Sequence, residues 1–480
     1  MENTASGTES GSGAGTAGDD AFASGRPVLF RGATVVTMDP GTGVLPDTDV
    51  LVRGTTIESV GKALEAPADA TVIEAAGALL LPGFVDTHRH MWQAPLRGIG
   101  VDWTMAQYIE WLMIKWGPLF RPEDIYAANY MTMVEAVNDG ITTVTDWSHG
   151  SRTPEHADAA VDALFEAPGR ARFAYGNVFA PDLGWVVDGR VDQLLKARFS
   201  GLPDQLVTLQ LAVDIIYGPT DDAREALKFA RARDLPVSTH AGSFGLLGDE
   251  QIKFLQETGS LSPSYTLVHA SSLSDDAFRI IADTGAQLSI SAESELNGGM
   301  GYAATTQARR FGVPVSLSLD TEVWGSGDMF SGMRATVNAD RALAHLRSQQ
   351  GGEALAINPL RAQDVLEYAT LGGARALGLD GIIGSITPGK RADLVMLRTD
   401  APAKIPVNNP AGHIVFHAGR GDVDTVLVDG RVLKHRGTLI GVDQFRARRL
   451  VDESLQYLRS QIPDEEWEQA LNPSAGTTAS

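Results

Sequence analysis

The chain contains no cysteine, which excludes disulfides, thiolate metal sites and a cysteine nucleophile. Any metal it binds must be held by histidine and carboxylate. Positive charge is scarce: 39 Lys and Arg stand against 60 Asp and Glu, a formal net charge of −21. Nucleic-acid affinity comes chiefly from Lys and Arg on phosphates, so no nucleic-acid partner is expected. The same balance argues against an anionic membrane surface. No run approaches the roughly 18 apolar residues of a transmembrane helix. There is no Walker A loop and no Gly-x-Ser-x-Gly nucleophile elbow. The first residues lack the basic and apolar regions of a secretory signal, so a cytoplasmic location is expected. What is present is an ordinary globular composition, 480 residues with 43 % hydrophobic and 21 % charged, enough for one large domain and a smaller one.

Gly, Ala, Ser and Thr fill 18 of the first 26 residues. Such a segment buries too little apolar surface to offset its ordering entropy, and residues 1–26 are expected to form a disordered tail. From Pro27 the texture changes. Val28–Met38, Asp49–Val60 and Ala70–Ala75 alternate polar and apolar residues around glycine turns, as short strands do. The pattern returns at Ala392–Arg398 and Asp424–His435. Val50–Val60 (VLVRGTTIESV) and Val426–His435 (VLVDGRVLKH) each read as strand, turn and strand. The flanks 27–80 and 385–440 are therefore expected to join in one β-domain; two separate small domains are the other arrangement. Between them, over 81–384, β-rich runs alternate with helical stretches such as Pro122–Asp139. The runs are Gly83–Asp86, Thr142–Asp146, Ala171–Tyr175, Val207–Val213, Pro236–Thr239, Tyr265–Val268, Gln287–Ser291 and Val315–Leu319. Eight strands alternating with helices over about 300 residues predict an α/β fold of the (β/α)8 type, with a doubly wound open sheet as the alternative. A C-terminal helix near Asp443–Gln461 and a tail complete 441–480.

In Gly83–His90 (GFVDTHRH), His88 and His90 lie two apart at a strand end, so both point to one face. In a barrel, the carboxyl ends of the strands form the active-site face. His240, His269 and Asp320 each follow a later run. The separations are 152 residues from His88 to His240, then 29 to His269 and 51 to Asp320, matching four, one and two βα repeats. The five side chains fall on strands 1, 5, 6 and 8, and barrel closure brings them to one mouth. Imidazoles gathered in this way can chelate a divalent metal.

These residues, together with Thr387–Val395 (TPGKRADLV), resemble the amidohydrolase superfamily. Asp328–Arg334 (DMFSGMR) is similar to its branch containing cytosine deaminase and the triazine hydrolases of the atrazine chlorohydrolase type. The resemblance implies a (β/α)8 barrel carrying a small composite β-sandwich built from both chain ends. It implies a metal-activated water that cleaves a non-peptide C–N bond of a small cyclic or aromatic substrate. Strand 4, Leu206–Tyr217 (LVTLQLAVDIIY), has no Lys or Glu to bridge two metals; Asp214 is its only acid. The resemblance therefore implies one divalent ion, Zn(II) or Fe(II), on His88, His90, His240 and Asp320. His269 then hydrogen-bonds the attacking water or the developing oxyanion, and Asp320 carries the water's proton to the leaving nitrogen. Relatives of this kind often form dimers or tetramers, so a homo-oligomer is compatible with the reading.

One position departs from that pattern. Deaminases of this branch carry a Glu three residues after the strand-5 His, and the matching residue here is Ser243. A hydroxyl has no carboxylate basicity near neutral pH. Either Asp320 acts alone, or Glu293, Glu295 or Glu322 supplies another acid. The substitution raises two alternatives: hydrolytic displacement of chloride, a thioether or an alkylamine from a heterocycle, and a catalytically degenerate binding protein. Four of the eight tryptophans, Trp92, Trp103, Trp111 and Trp116, fall in one short stretch, and Trp147, Trp185 and Trp324 sit beyond strand ends. Trp92 and Trp324 are candidates to line an apolar substrate pocket; Trp111 and Trp116 are expected to pack a helix. Gln93 and Arg97 are candidates to orient a polar group of a small-molecule substrate, with bracing of the scaffold the alternative for Arg97. His149 is placed either behind the site or against substrate. His345, His413, His417 and His435 are read as structural.

Overall fold

Short strands from the start of the chain pair with strands from near its end. The computed structural model describes Phe22 and residues 25–199, 201, 205–215, 218–243 and 248–473; apart from Phe22, Gly25 and Arg26, the expected N-terminal tail lies outside the described residues. The first flank forms β1 (Val28–Val36), β2 (Val44–Arg53), β3 (Thr56–Gly61), β4 (Thr71–Glu74) and β5 (Leu79–Pro82). Eight parallel strands follow: β6 (Phe84–Arg89), β7 (Ile141–Ser148), β8 (Arg170–Tyr175), β9 (Val207–Ala212), β10 (Val237–Ala241), β11 (Tyr265–His269), β12 (Gln287–Ile290) and β13 (Val315–Leu317). The second flank adds β14 (Leu394–Leu397), β15 (Val423–Val428), β16 (Arg431–His435) and β17 (Thr438–Leu439).

β14 pairs antiparallel with β5, Val395 opposite Leu81 and Met396 opposite Leu80. One hydrogen-bonded path thus runs β17-β16-β15-β14-β5-β1-β2-β3, with β4 against β1. Phe30, Val50, Leu80, Leu394 and Leu427 are buried in its core. Complete burial of such side chains contributes about 1.5–3 kcal/mol each, so the two flanks hold one another in place.

The parallel strands pair strictly in chain order, and a bridge between Arg89 and Asp320 joins the last edge to the first. The (β/α)8 fold class expected from the strand–helix alternation is the one observed, and the open-sheet alternative falls away. Strand ends differ in detail. β6 continues to Arg89, so His88 lies within the strand. β7 takes in Trp147, which the sequence places beyond the strand; its indole N–H donates to Ser238 Oγ at 2.6 Å, so the ring is satisfied inside the barrel. Beneath the site the interior is unusually polar, with the Thr87 hydroxyl 2.8 Å from Ser289 Oγ and 2.9 Å from Ser316 Oγ.

Gly83 stands where β5 turns into β6. A Cβ there would lie 2.1 Å from Thr142 Oγ1 of β7, so only glycine lets these two strands approach. After β6 the chain crosses the barrel mouth through a 3-10 turn, Met91–Leu96, and a π-helical segment, Ile109–Trp116, before helix α1 (Pro122–Asn138). Two C-terminal helices, α2 (Gln444–Gln461) and α3 (Asp464–Leu471), return to this segment. Trp103 Nε1 donates to the Ala470 carbonyl at 2.7 Å, Trp116 Nε1 donates to Glu466 at 2.5 Å, and Trp467 stacks on Trp116.

Candidate active site

His88 and His90 leave β6 with their rings 4.6 Å apart, centroid to centroid. His240 from β10 brings its ring to 4.9 Å from that of His88, and His269 ends β11. Asp320 arrives three residues after β13. Two backbone hydrogen bonds fix it beside β6: its N–H donates to the His88 carbonyl at 2.9 Å, and its carbonyl accepts from His90 N–H at 2.7 Å. His269 (φ 76°) and Asp320 (φ 58°) both occupy the left-handed region, where a residue with a Cβ is rare. Strain of this kind persists at sites whose surroundings over-determine it.

The donor atoms of His88, His90 and His240, and those of His88, His269 and Asp320, each lie within 4.8 Å of one another. Asp320 Oδ1 is 3.3 Å from His88 Nε2 and 3.2 Å from His90 Nε2. The outer ring nitrogens are occupied elsewhere. His90 Nδ1–H donates to the Trp147 carbonyl at 3.1 Å, His240 Nδ1–H donates to Asp214 at 2.9 Å, and His269 Nδ1 faces Glu295 Oε1 at 3.3 Å. A proton held on Nδ1 leaves the Nε2 lone pair free to bind a metal at the centre. His88 is fully buried, and neither of its ring nitrogens has a hydrogen-bond partner among the described residues. Two buried, unpaired imidazole nitrogens are costly unless something coordinates them. The donor set thus fits one divalent cation, the fourth side chain being a carboxylate and none a thiolate.

Electrostatics follow from burial and from this crowding. Burial drives the His88 pKa well below its ordinary value, so the ring stays neutral, as a ligand must be. Burial opposes ionisation of Asp320, but the His88 and His90 imidazoles beside it, with the charges of His90 and His269, outweigh it, and its carboxyl is held well below the usual range. Burial, reinforced by His90, also lowers the His149 pKa.

A cavity of about 330 Å³ opens over these groups. His149, Asp214, Ser243 and Trp324 line it beside His90, His240, His269 and Asp320, and Met105, Tyr108, Ile109, Met113, Val178 and Met300 supply an otherwise apolar wall. A smaller cavity of about 130 Å³ adjoins it and shares His149, Val178 and Asp214. His149 stacks on His90 at 4.0 Å, and Trp324 Nε1 donates to Ser294 Oγ at 2.8 Å. Ser243 Oγ is buried and has no hydrogen-bond partner among the described residues.

Other residues singled out in the sequence lie behind this wall. Trp92 donates its indole N–H to His149 Nδ1 at 3.0 Å and so supports a lining residue. Gln93 donates to the Tyr108 hydroxyl at 2.7 Å. Arg97 forms ion pairs with Glu135 and Glu322, the bracing alternative. None of the three glutamates considered as a substitute acid lines the cavity. Glu293 accepts from Ser326 Oγ at 2.7 Å, Glu295 accepts the Ser291 N–H at 2.9 Å and faces His269, and Glu322 is buried against Arg89 and Arg97.

Sequence reasoning missed Tyr108, the methionine wall, and the roles of Asp214 and Glu295 behind the imidazoles. Asp214 carried a signal as the sole acid of strand 4. Tyr108 carried none, because its partners, Gln93 and the residues around Asp320, reach it only through the fold.

A closed barrel with a His–Asp donor set at the carboxyl ends of its strands defines a metal-dependent hydrolase. The chain belongs to the amidohydrolase family, whose model matches residues 79–433. It is a hydrolase of carbon–nitrogen bonds other than peptide bonds, and its cofactor is one divalent metal ion. A 5'-deoxyadenosine deaminase of Methanothermobacter thermautotrophicus is 29 % identical over 413 residues, covering 81 % of this chain and 90 % of that protein. A 5-methylthioadenosine/S-adenosylhomocysteine deaminase of Pelotomaculum thermopropionicum is 27 % identical, covering 88 % and 99 %. Among solved structures, zinc-bound atrazine chlorohydrolase TrzN of Arthrobacter aurescens superposes with a TM-score of 0.78 at 22 % identity, covering 89 % of this chain and 100 % of that one. An adenosine deaminase of Xanthomonas campestris with bound zinc gives 0.77 at 23 % identity, covering 90 % and 98 %; both show the shared fold. No helix among the described residues is long and apolar enough to cross a membrane.

Proposed function

We propose that the barrel, residues 81–384, hydrolyses the exocyclic C–N bond of an amino-substituted nitrogen heterocycle with largely apolar substituents, of the deoxyadenosine or methylthioadenosine kind. The observation that carries this reading is the gathering of imidazole donors around His88 and Asp320, with each outer nitrogen of His90, His240 and His269 turned to a partner. His88, His90, His240 and Asp320 would hold the ion, with zinc the first choice. When bound, a divalent ion lowers the pKa of water from about 15.7 to near 7. Asp320 accepts the attacking water's proton and returns it to the leaving nitrogen; His269 Nε2 accepts a hydrogen bond from that water and orients it. The apolar wall of Met105, Ile109, Met113, Met300 and Trp324 suits an aromatic ring and a deoxy or thioether substituent, and the adjoining cavity suits a further arm. The β-unit of 27–80 and 385–440 is scaffold in this reading, and a cytoplasmic location accompanies a nucleoside-type substrate.

The test is elemental analysis of purified protein paired with ammonia release across a library of heterocyclic amines. One equivalent of metal with ammonia from aminopurines supports the reading; robust turnover by metal-free protein refutes it. A second reading, displacement of chloride or a thiolate, is favoured by Ser243 and by the engagement of Glu293, Glu295 and Glu322 elsewhere. Release of halide or thiol in preference to ammonia would establish it.

A further inference from the structure

The cavity holds a neutral hydrogen-bond donor whose direction is set by a relay from the Asp320 loop. Thr321, next to Asp320, accepts the Val323 N–H at 3.1 Å and places its hydroxyl 2.5 Å from Gln93 Oε1. With its oxygen occupied, the Gln93 amide presents its N–H to the Tyr108 hydroxyl at 2.7 Å. The tyrosine oxygen therefore accepts, and its own proton has no acceptor among the described residues. Thr321 and Gln93 are buried, so water does not compete along the chain. Tyr108 itself lines the cavity that His240, His269, Ser243 and Asp320 also line, and its ring packs 4.8 Å from that of Trp324. Burial and the neighbouring Asp320 and Asp214 carboxylates push its pKa up, which keeps it a phenol over the working range of pH.

We propose that Tyr108 is a catalytic residue that donates its phenolic O–H to the ring nitrogen beside the reacting carbon, with Thr321 and Gln93 as positioning residues. This assignment rests on the proposed heterocyclic substrate. Addition of water to the ring carbon places negative charge on the adjacent ring nitrogen. A fixed O–H donor stabilises that charge without giving up its proton. The oxygen–carbon bond forms and the carbon–nitrogen bond breaks with its electron pair on the amine. One proton of the water passes through Asp320 to the amine, which leaves as ammonia. The other stays on the product, and Tyr108 ends the cycle protonated as it began. A neutral donor at Tyr108, with Ser243 where a carboxylate would stand, gives a site that holds the ring by hydrogen bonding rather than by protonating it.

The test is a binding cycle on zinc-loaded full-length protein with two probes that carry no leaving group, 6-methylpurine riboside and its 1-deaza analogue, in which C–H replaces the ring nitrogen. Calorimetry should give wild-type protein about a tenfold preference for the nitrogen-bearing ring, the value of one hydrogen bond. Tyr108→Phe should reduce that ratio to within twofold. Gln93→Glu should do the same with the phenol still present, because a carboxylate cannot donate and turns the tyrosine proton toward itself. A tenfold preference that survives in both variants, or its absence in wild type, overturns the assignment. Ammonia release from aminopurines is measured alongside. Ammonia without the preference sinks the role of Tyr108 alone, and the preference without ammonia sinks the deaminase reading alone.

Discussion

Asp214 makes a quantitative test of the proposed metal site, because it holds one of the imidazoles from behind. Its carboxylate receives the His240 ring N–H at 2.9 Å and the His240 backbone N–H at 3.0 Å, so it sets both the tautomer and the tilt of that ring. Partners of this kind are worth about 10–100-fold in metal affinity, or about 1.4–2.8 kcal/mol. Asp214→Ala removes both hydrogen bonds and frees the ring to rotate, and should weaken zinc binding by about that full range. Asp214→Asn keeps one acceptor but loses the charge that roughly doubles the bond's strength, and should cost about tenfold. Zinc affinity is read by competition with a fluorescent chelator, and thermal melting of the metal-free proteins checks that the fold is intact. Affinities within twofold of wild type for both variants would refute the assignment of His240 as a ligand oriented by Asp214.

Asp320→Asn, and separately removal of metal by chelation, should each lower turnover at least 10³-fold with little change in circular dichroism; readdition of zinc should restore only the wild-type protein. Gly83→Ala should cost about 1–3 kcal/mol in denaturant unfolding, because the new methyl meets Thr142 across β6 and β7. Deleting residues 463–480 should lower kcat/KM and leave zinc affinity unchanged, and should raise the emission of Trp116 by removing the stacked Trp467. Asp139, pushed up to about 6 by burial, binds its proton more tightly folded than unfolded, so its contribution to stability falls as pH rises from about 4 to 6. Asp139→Asn should therefore stabilise the protein by up to about 2 kcal/mol at pH 8 and hardly at all near pH 4 in urea unfolding.

The barrel and its central residues were legible because their chemistry is written locally. A histidine at the end of a β-rich run states both its residue type and its place, and a repeat of βα units converts separation along the chain into position around a ring. The strand limits were less legible: periodicity could not show that β6 runs through His88 or that β7 takes Trp147 into the interior, since burial on both faces erases alternation. The wall of the cavity was not legible at all. Tyr108 and Met300 come from segments far apart in sequence and meet only when the barrel closes. Arg97 illustrates the opposite difficulty: a cation in an active-site loop suits substrate as well as scaffold, and only the positions of Glu135 and Glu322 decide between them.

The indole of Trp103 and the carbonyl of Ala470 are joined by a hydrogen bond across 367 residues of sequence. The five central residues, the last of them Asp320, all precede α3, whose contacts brace the segment that carries Met105, Tyr108 and Met113. The cation cage and the wall of the substrate chamber thus rest on different parts of the fold, and the wall alone leans on α3.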